Sequence, residues 1–173
     1  MTPWLHGLDA RLRALVPLTT ALLAVLVDVL PFPPAGPAGA APLATLCVAF
    51  FWSVYRPDLF GVSAAFVTGV VYDALAGMPL GLTSLVLLLV RQVAVAQHRF
   101  FVARSFPVIW CCFVLLAPAA LALRWTLCCL WSGHLFAPRP LLLELMLTLA
   151  LYPLATLLLA RVHNQIPRVV DAS

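Results

Sequence analysis

Among the charged residues of this 173-residue chain that stand inside apolar runs are Asp28, Asp73, Arg124 and Glu144. Burying a charge in hydrocarbon is costly, so such groups pair, form hydrogen bonds or serve a site, and intramembrane acids count as functional by default. The three acids are too scattered in sequence to nominate a catalytic pair. An Arg124 pair with Asp73 or Glu144 would lower the cost of burying either charge; the alternative is that each side chain reaches water alone. The five cysteines, Cys47, Cys111-Cys112 and Cys128-Cys129, form no CxxC pair and no Cys/His spacing suited to zinc, and they read as small apolar packing residues. His6, His98, His134 and His163 have no partner spacing that suggests a site. A Walker A loop, a zinc helix of the His-Glu-x-x-His type and a nucleophile elbow are absent from the sequence. The expectation is a protein that is not an enzyme and carries no cofactor or metal. An integral-membrane enzyme acting on lipid through Asp28, Asp73 and Glu144 is the least supported alternative, because no paired motif accompanies those acids.

Asp73 lies in the stretch Gly69-Val-Val-Tyr-Asp73-Ala-Leu-Ala-Gly77-Met-Pro79-Leu-Gly81, around which the rest of the chain is organised. Counting back by fours from Gly77 gives Asp73, Gly69, Ala65 and Gly61, so a carboxylate shares a helix face with small residues that let another backbone approach. A spacing of four drifts by about 40° per step on a helix of 3.6 residues per turn. The stripe therefore winds and suits a crossed, close-packed partner helix. In the last turn before Gly77, Asp73 meets the partial negative charge of the helix end and must be paired, hydrogen-bonded or protonated. Gly77 suits the left-handed position that ends a helix, and Pro79 suits the first position of the next. Two readings stand side by side: a functional acid in a tight hairpin, or a plain helix turn with one polar residue near the bilayer surface.

The elements that must position these residues are apolar helices. The composition is 64% hydrophobic and 9% charged, against about 25% charged in soluble domains. This is an integral membrane protein, and six spans are expected at about 15–30, 40–55, 59–77, 79–96, 106–131 and 141–160. The fold class is all-α: a six-transmembrane-helix bundle forming one membrane domain over residues 1–173. The fifth run exceeds the roughly 20 residues a span needs, so tilt, a kink at Pro118 or an interfacial extension must absorb the excess. The sixth carries Glu144, Thr148, Tyr152 and Thr156 four apart, a polar face expected to turn toward protein. No cleavable secretory signal is evident ahead of the first run.

All ten basic residues are arginine, and the net charge of +4 comes with no basic stripe interleaved with aromatics, so no nucleic-acid partner is implied. With both termini cytoplasmic, Arg11, Arg13, Arg56, Arg91, Arg99, Arg104, Arg161 and Arg168 fall on or near the inner side and only Arg124 and Arg139 outside, as the positive-inside rule requires. The Gln97–Arg104 loop is then cytoplasmic, and the Pro31–Pro42 and Ser132–Pro140 connectors are external. Asp28, Asp73, Arg124 and Glu144 all fall toward the outer helix ends, where they could form one polar cluster. Arg91, in the inner part of the fourth span, is placed to extend its guanidinium to the surface.

The Gly69–Gly81 stretch, preceded by Arg56-Pro57 at the end of the second span and followed by an apolar helix, resembles the MreD family of bacterial rod-shape-determining proteins. Span number and the position of the signature agree with it, although hairpins of the Gly-x-Pro-x-Gly type recur in other membrane proteins. The resemblance implies a non-enzymatic subunit of the cell-elongation and peptidoglycan-synthesis machinery in the bacterial inner membrane. It also implies partners: membrane lipids, an MreC-like periplasmic scaffold, and through it an MreB-like filament, a SEDS glycosyltransferase and a class B penicillin-binding protein. Gly61, Ala65, Gly69, Asp73, Gly77, Pro79 and Gly81 are the expected structural and partner-binding motif. The family is also similar in fold to the substrate-binding S components of energy-coupling-factor vitamin transporters, which supplies the alternative function. A vitamin binder calls for a substantial external loop or several convergent polar groups at one depth, and the short, proline-rich or apolar external loops favour the scaffold.

Overall fold

With no water at hand, a backbone must satisfy its own N–H and C=O groups, and an apolar run does so as a helix. The computed structural model describes residues 3–30, 43–97 and 106–164, with side-chain surroundings given over 15–30, 43–97 and 107–162. These residues form six helices and no strand: α1 Pro3–Val29, α2 Ala44–Tyr55, α3 Val62–Ala76, α4 Leu82–Ala96, α5 Phe106–Ser132 and α6 Arg139–Asn164.

Several boundaries move from those expected. α1 begins twelve residues earlier than Leu15, since intrahelical bonds continue through Arg11 and Arg13 whatever the polarity of the side chains. α4 starts at Leu82 and not at Pro79, because Pro79 to Leu82 form a turn closed by the Leu82 N–H on the Pro79 carbonyl at 3.3 Å. α2, α3 and α4 have 12, 15 and 15 residues, or about 18–22 Å of helix at 1.5 Å per residue, short of a hydrocarbon core about 30 Å thick. Pro107–Ser132 of α5 and Arg139–Val162 of α6 are long and apolar enough to cross a membrane, and α5 runs on through Pro118.

The packing is three layers of two. α2 and α4 touch each other in the middle; α1 and α3 cover one side, α5 and α6 the other. The central position of α2 explains its composition, since every residue from Thr45 to Val54 is buried. Its Phe50 meets Phe113 of α5 and Tyr152 of α6, whose rings stack at 4.1 Å. Trp52 donates its indole N–H to Thr20 Oγ1 of α1 at 2.9 Å. The polar face of α6 does turn inward: Thr148, Tyr152 and Thr156 are all buried. The outward faces are lipid-compatible on α5 and α6, where Leu115, Leu130, Leu142, Met146, Leu157 and Leu158 are exposed, and also on α1, α3 and α4, where Leu23, Leu26, Val62, Phe66, Leu85 and Leu89 are.

Candidate functional site

Asp73 stands where α3 ends, and it also begins α4. Gly77 adopts φ 66°, and the Met78 N–H returns to the Asp73 carbonyl at 2.9 Å, the bond that closes a Schellman C-terminus. The Asp73 carboxylate, wholly buried, points at the next helix: Oδ2 accepts the Gly81 N–H at 2.9 Å, and both oxygens accept the Thr83 N–H at 3.1 Å. Gly81, at φ 98°, is itself the N-cap of α4 and has no side chain to offer, so the acid of the preceding helix supplies the missing acceptor. A carboxylate that is unfavourable at the negative end of α3 is favourable at the positive end of α4. Of the readings open to the sequence, the hydrogen-bonded one holds, with backbone donors in place of a cation.

The same device appears in the neighbouring hairpin. Asp28, in the last turn of α1, accepts the Ala44 N–H at 2.8 Å and the Thr45 N–H at 2.9 Å, which are the first donors of α2. The N-cap of α2, Leu43, gives its own N–H to Thr148 Oγ1 of α6 at 3.0 Å. Because α1 lies beside α3 and α2 beside α4, both capping acids sit at one end of the bundle.

The small-residue stripe divides by role. Ala65 and Gly69 are buried, and a Cβ on Gly69 would lie 2.3 Å from the Ser84 Cα, so the α3 backbone rests directly on that of α4. Ser84 donates its hydroxyl to the Phe66 carbonyl at 3.1 Å across the same contact. Gly61 and Gly77 do not continue the face. Gly61 is the extended N-cap of α3, where a Cβ would meet only Ser63 Oγ at 3.6 Å, and nothing lies within 4 Å of a Cβ at Gly77 or Gly81. Those two glycines serve backbone shape, since both take a positive φ that L side chains rarely adopt. Pro79, outside α4, belongs to the turn.

Arg124 pairs with Glu144 at 3.1 Å, joining α5 to α6. It also extends toward the Tyr72 hydroxyl at 3.5 Å and lies 5.5 Å from the centre of that ring. The four charged residues share one end of the bundle: Arg124 pairs with Glu144 and lies within electrostatic range of Asp28 and Tyr72, whereas Asp73 is taken up by backbone N–H groups, as Asp28 also is, and does not pair with Arg124. The reason is distance to unpaired donors. Each acid lies next to a helix start whose first N–H groups have no intrahelical acceptor.

Arg91, expected to extend toward the surface, reaches the turn between α2 and α3, where its half-buried side chain donates Nε–H to the Phe60 carbonyl at 2.8 Å and approaches the Pro57 carbonyl at 3.4 Å. Thr148 and Arg91 are the contributors that sequence reasoning missed in these roles. The four-residue polar spacing on α6 pointed to Thr148, but nothing local pointed to Leu43. The Pro31–Pro42 connector, most of the Gln97–Arg104 loop, the side chains of Arg11 and Arg13 and the tail beyond Asn164 lie outside the described residues.

Comparison with known proteins adds one match: residues 9–162 fit the family model described as rod shape-determining protein MreD. No curated protein matches the chain, and no solved structure does.

Proposed function

Given that the chain belongs to the MreD family of rod shape-determining proteins, a membrane family with a role in cell shape, we propose that it acts there as a partner-binding scaffold and not as an enzyme. The carrying observation is how the polar groups are spent. Asp28, Asp73, Thr148 and Arg91 all bond to backbone groups of this same bundle, so they hold helices in place, and the outward faces of α5 and α6 stay apolar for lipid and partner helices. In this reading the protein is one integral membrane unit in the bacterial inner membrane with six spans and cytoplasmic termini, supported by the arginine distribution. The short α2, α3 and α4 cross with help from their turn residues and local thinning of the bilayer. An MreC-like scaffold is the direct partner, and through it an MreB-like filament, a SEDS glycosyltransferase and a class B penicillin-binding protein.

The test is a deletion strain of a rod-shaped host. Cells lacking the protein become round or wide, the wild-type gene restores rods, and the tagged protein co-purifies with the shape proteins. Rod shape kept in the deletion strain, with uptake of a single nutrient lost, would select the S-component reading instead.

A further inference from the structure

α1 outruns α2 and α3, the two helices it packs on. Trp52 gives its indole N–H to Thr20 Oγ1, which sets residue 20 of α1 level with residue 52 of α2. From there α2 goes on only to Tyr55, about 5 Å, whereas α1 goes back to Pro3, about 25 Å. α3 starts at Val62, after the turn that follows Tyr55. Residues 3–14 of α1 therefore form a helical arm that lies past the level where α2 ends.

The exposed side of α1 is a single stripe. Leu15, Thr19, Leu23, Leu26 and Leu30 are exposed, at steps of four, four, three and four, while Ala21, Ala24 and Val25 are buried on the side toward the bundle. The alternation continues backward into the arm, where steps of three, four and three give Leu12, Leu8 and Leu5. On one continuous helix these positions share the outward face. By the same register Trp4 falls on the stripe, Arg11 falls at its edge two turns from Trp4, and His6, Asp9 and Arg13 fall off it.

This register fixes a direction as well as a face. A helix that leaves the bilayer and leans away from its bundle turns its outward face back toward the membrane. Leaning toward the bundle would turn the opposite face, which here carries charge. An arm standing straight out in water would leave a tryptophan and three leucines in contact with it, which is unfavourable. Helices that rest on a membrane carry Trp and Leu on one face and arginine on the other. The arginines complement an anionic leaflet, which attracts basic segments within a Debye length of its surface.

We propose that residues 3–14 are a membrane-surface anchor, with the Trp4, Leu5, Leu8 and Leu12 positions turned into the headgroup layer of the adjoining leaflet and Arg11 and Arg13 serving anionic phospholipid. The occupant follows from continuity with the lipid-facing stripe of α1 and from charge. The proposal rests on the reading that α1 crosses a membrane, and the leaflet concerned is the cytoplasmic one in the topology proposed above.

The experiment is site-directed spin labelling of the full-length protein, its five native cysteines replaced, in vesicles of phosphatidylcholine with and without phosphatidylglycerol. Labels are placed one at a time at residues 5, 8 and 12 and at residues 6, 9 and 13. Each is relaxed by oxygen, which concentrates in the bilayer, and by a water-soluble nickel chelate. A label at Leu142, exposed on α6, gives the lipid-facing reference. With phosphatidylglycerol present, the oxygen-to-nickel ratio at 5, 8 and 12 approaches that at 142 and exceeds that at 6, 9 and 13 severalfold. Omitting phosphatidylglycerol, or introducing Arg11→Gln/Arg13→Gln, lowers the ratio at residue 8, as the equilibrium for resting on the surface shifts by about fivefold per arginine. Equal ratios at the two sets of positions overturn the proposal, as does a ratio at residue 8 that neither change lowers. Labels at 5, 8 and 12 shielded from both reagents would also overturn it, assigning the stripe to a protein contact. Because the readout is depth in vesicles of purified protein, its failure leaves the cell-shape reading standing, and failed complementation of the deletion strain leaves the anchor standing.

Discussion

Replacing Asp73 by leucine removes the acceptors of two backbone N–H groups at the start of α4, those of Gly81 and Thr83. An orphaned buried donor costs about 1–3 kcal/mol, which bounds the loss at about 2–6 kcal/mol for two. The Gly81 bond is only part-buried, and polar bonds between membrane helices average nearer about 0.6 kcal/mol, so the expected loss is about 2–4 kcal/mol. Asparagine is a sharper probe. Oδ2 accepts from both donors, at 2.9 and 3.1 Å, so an amide oxygen in that place keeps both bonds; it gives up the charge at the helix N-terminus, worth about 0.3–1 kcal/mol, and sets its NH2 in place of Oδ1, 3.1 Å from the Thr83 N–H, a donor facing a donor. Arg124 is no part of this loss, because its carboxylate partner is Glu144. The assay is reversible unfolding in mixed micelles at rising SDS fraction, read by tryptophan fluorescence, together with co-purification of the shape proteins. The expected order of stability is wild type, then Asp73→Asn, then Asp73→Leu, with complex assembly failing only for leucine. Leucine within about 0.5 kcal/mol of wild type, or asparagine falling as far as leucine, would refute the capping role.

Gly69→Leu is expected to destabilise by at least the roughly 1–3 kcal/mol of an overpacked core, because its first added carbon meets the Ser84 backbone; Val70→Leu, at a half-buried position, falls within about 0.5 kcal/mol in the same unfolding assay. Asp28→Leu orphans the Ala44 and Thr45 N–H groups and is expected to match Asp73→Leu within about a factor of two, with Asp28→Asn again milder; equal stability of all three proteins would show that the first hairpin is capped otherwise. Cysteine labelling in a background without the five native cysteines should find the Gln97–Arg104 loop reactive only from inside and the Ser132–Pro140 connector only from outside; reaction of the first from outside would exclude the six-span topology.

What the sequence determines by itself here is local. Apolar runs with no water to bond must be helices, and α5 and α6 fall within a few residues of their expected ends because charge and proline bracket them. Gly77 and Gly81 announce a turn, since a positive φ suits glycine and little else. The small residues Ala65 and Gly69 announce a close helix contact, and the motif from Arg56 to Gly81 carries the resemblance that the match over residues 9–162 bears out. What each polar group touches was decided by tertiary structure alone. A helix period tells which side chains share a face, but not which helix that face meets or at what depth. The bond from Leu43 to Thr148 joins residues 105 apart. Asp73 took backbone donors over Arg124 because the start of α4 lies beside it with N–H groups that no residue of that helix can satisfy. The period of four also could not separate Gly69, where packing forbids a side chain, from Gly77, where only the backbone angle does, because spacing records position along a helix and not what stands opposite it.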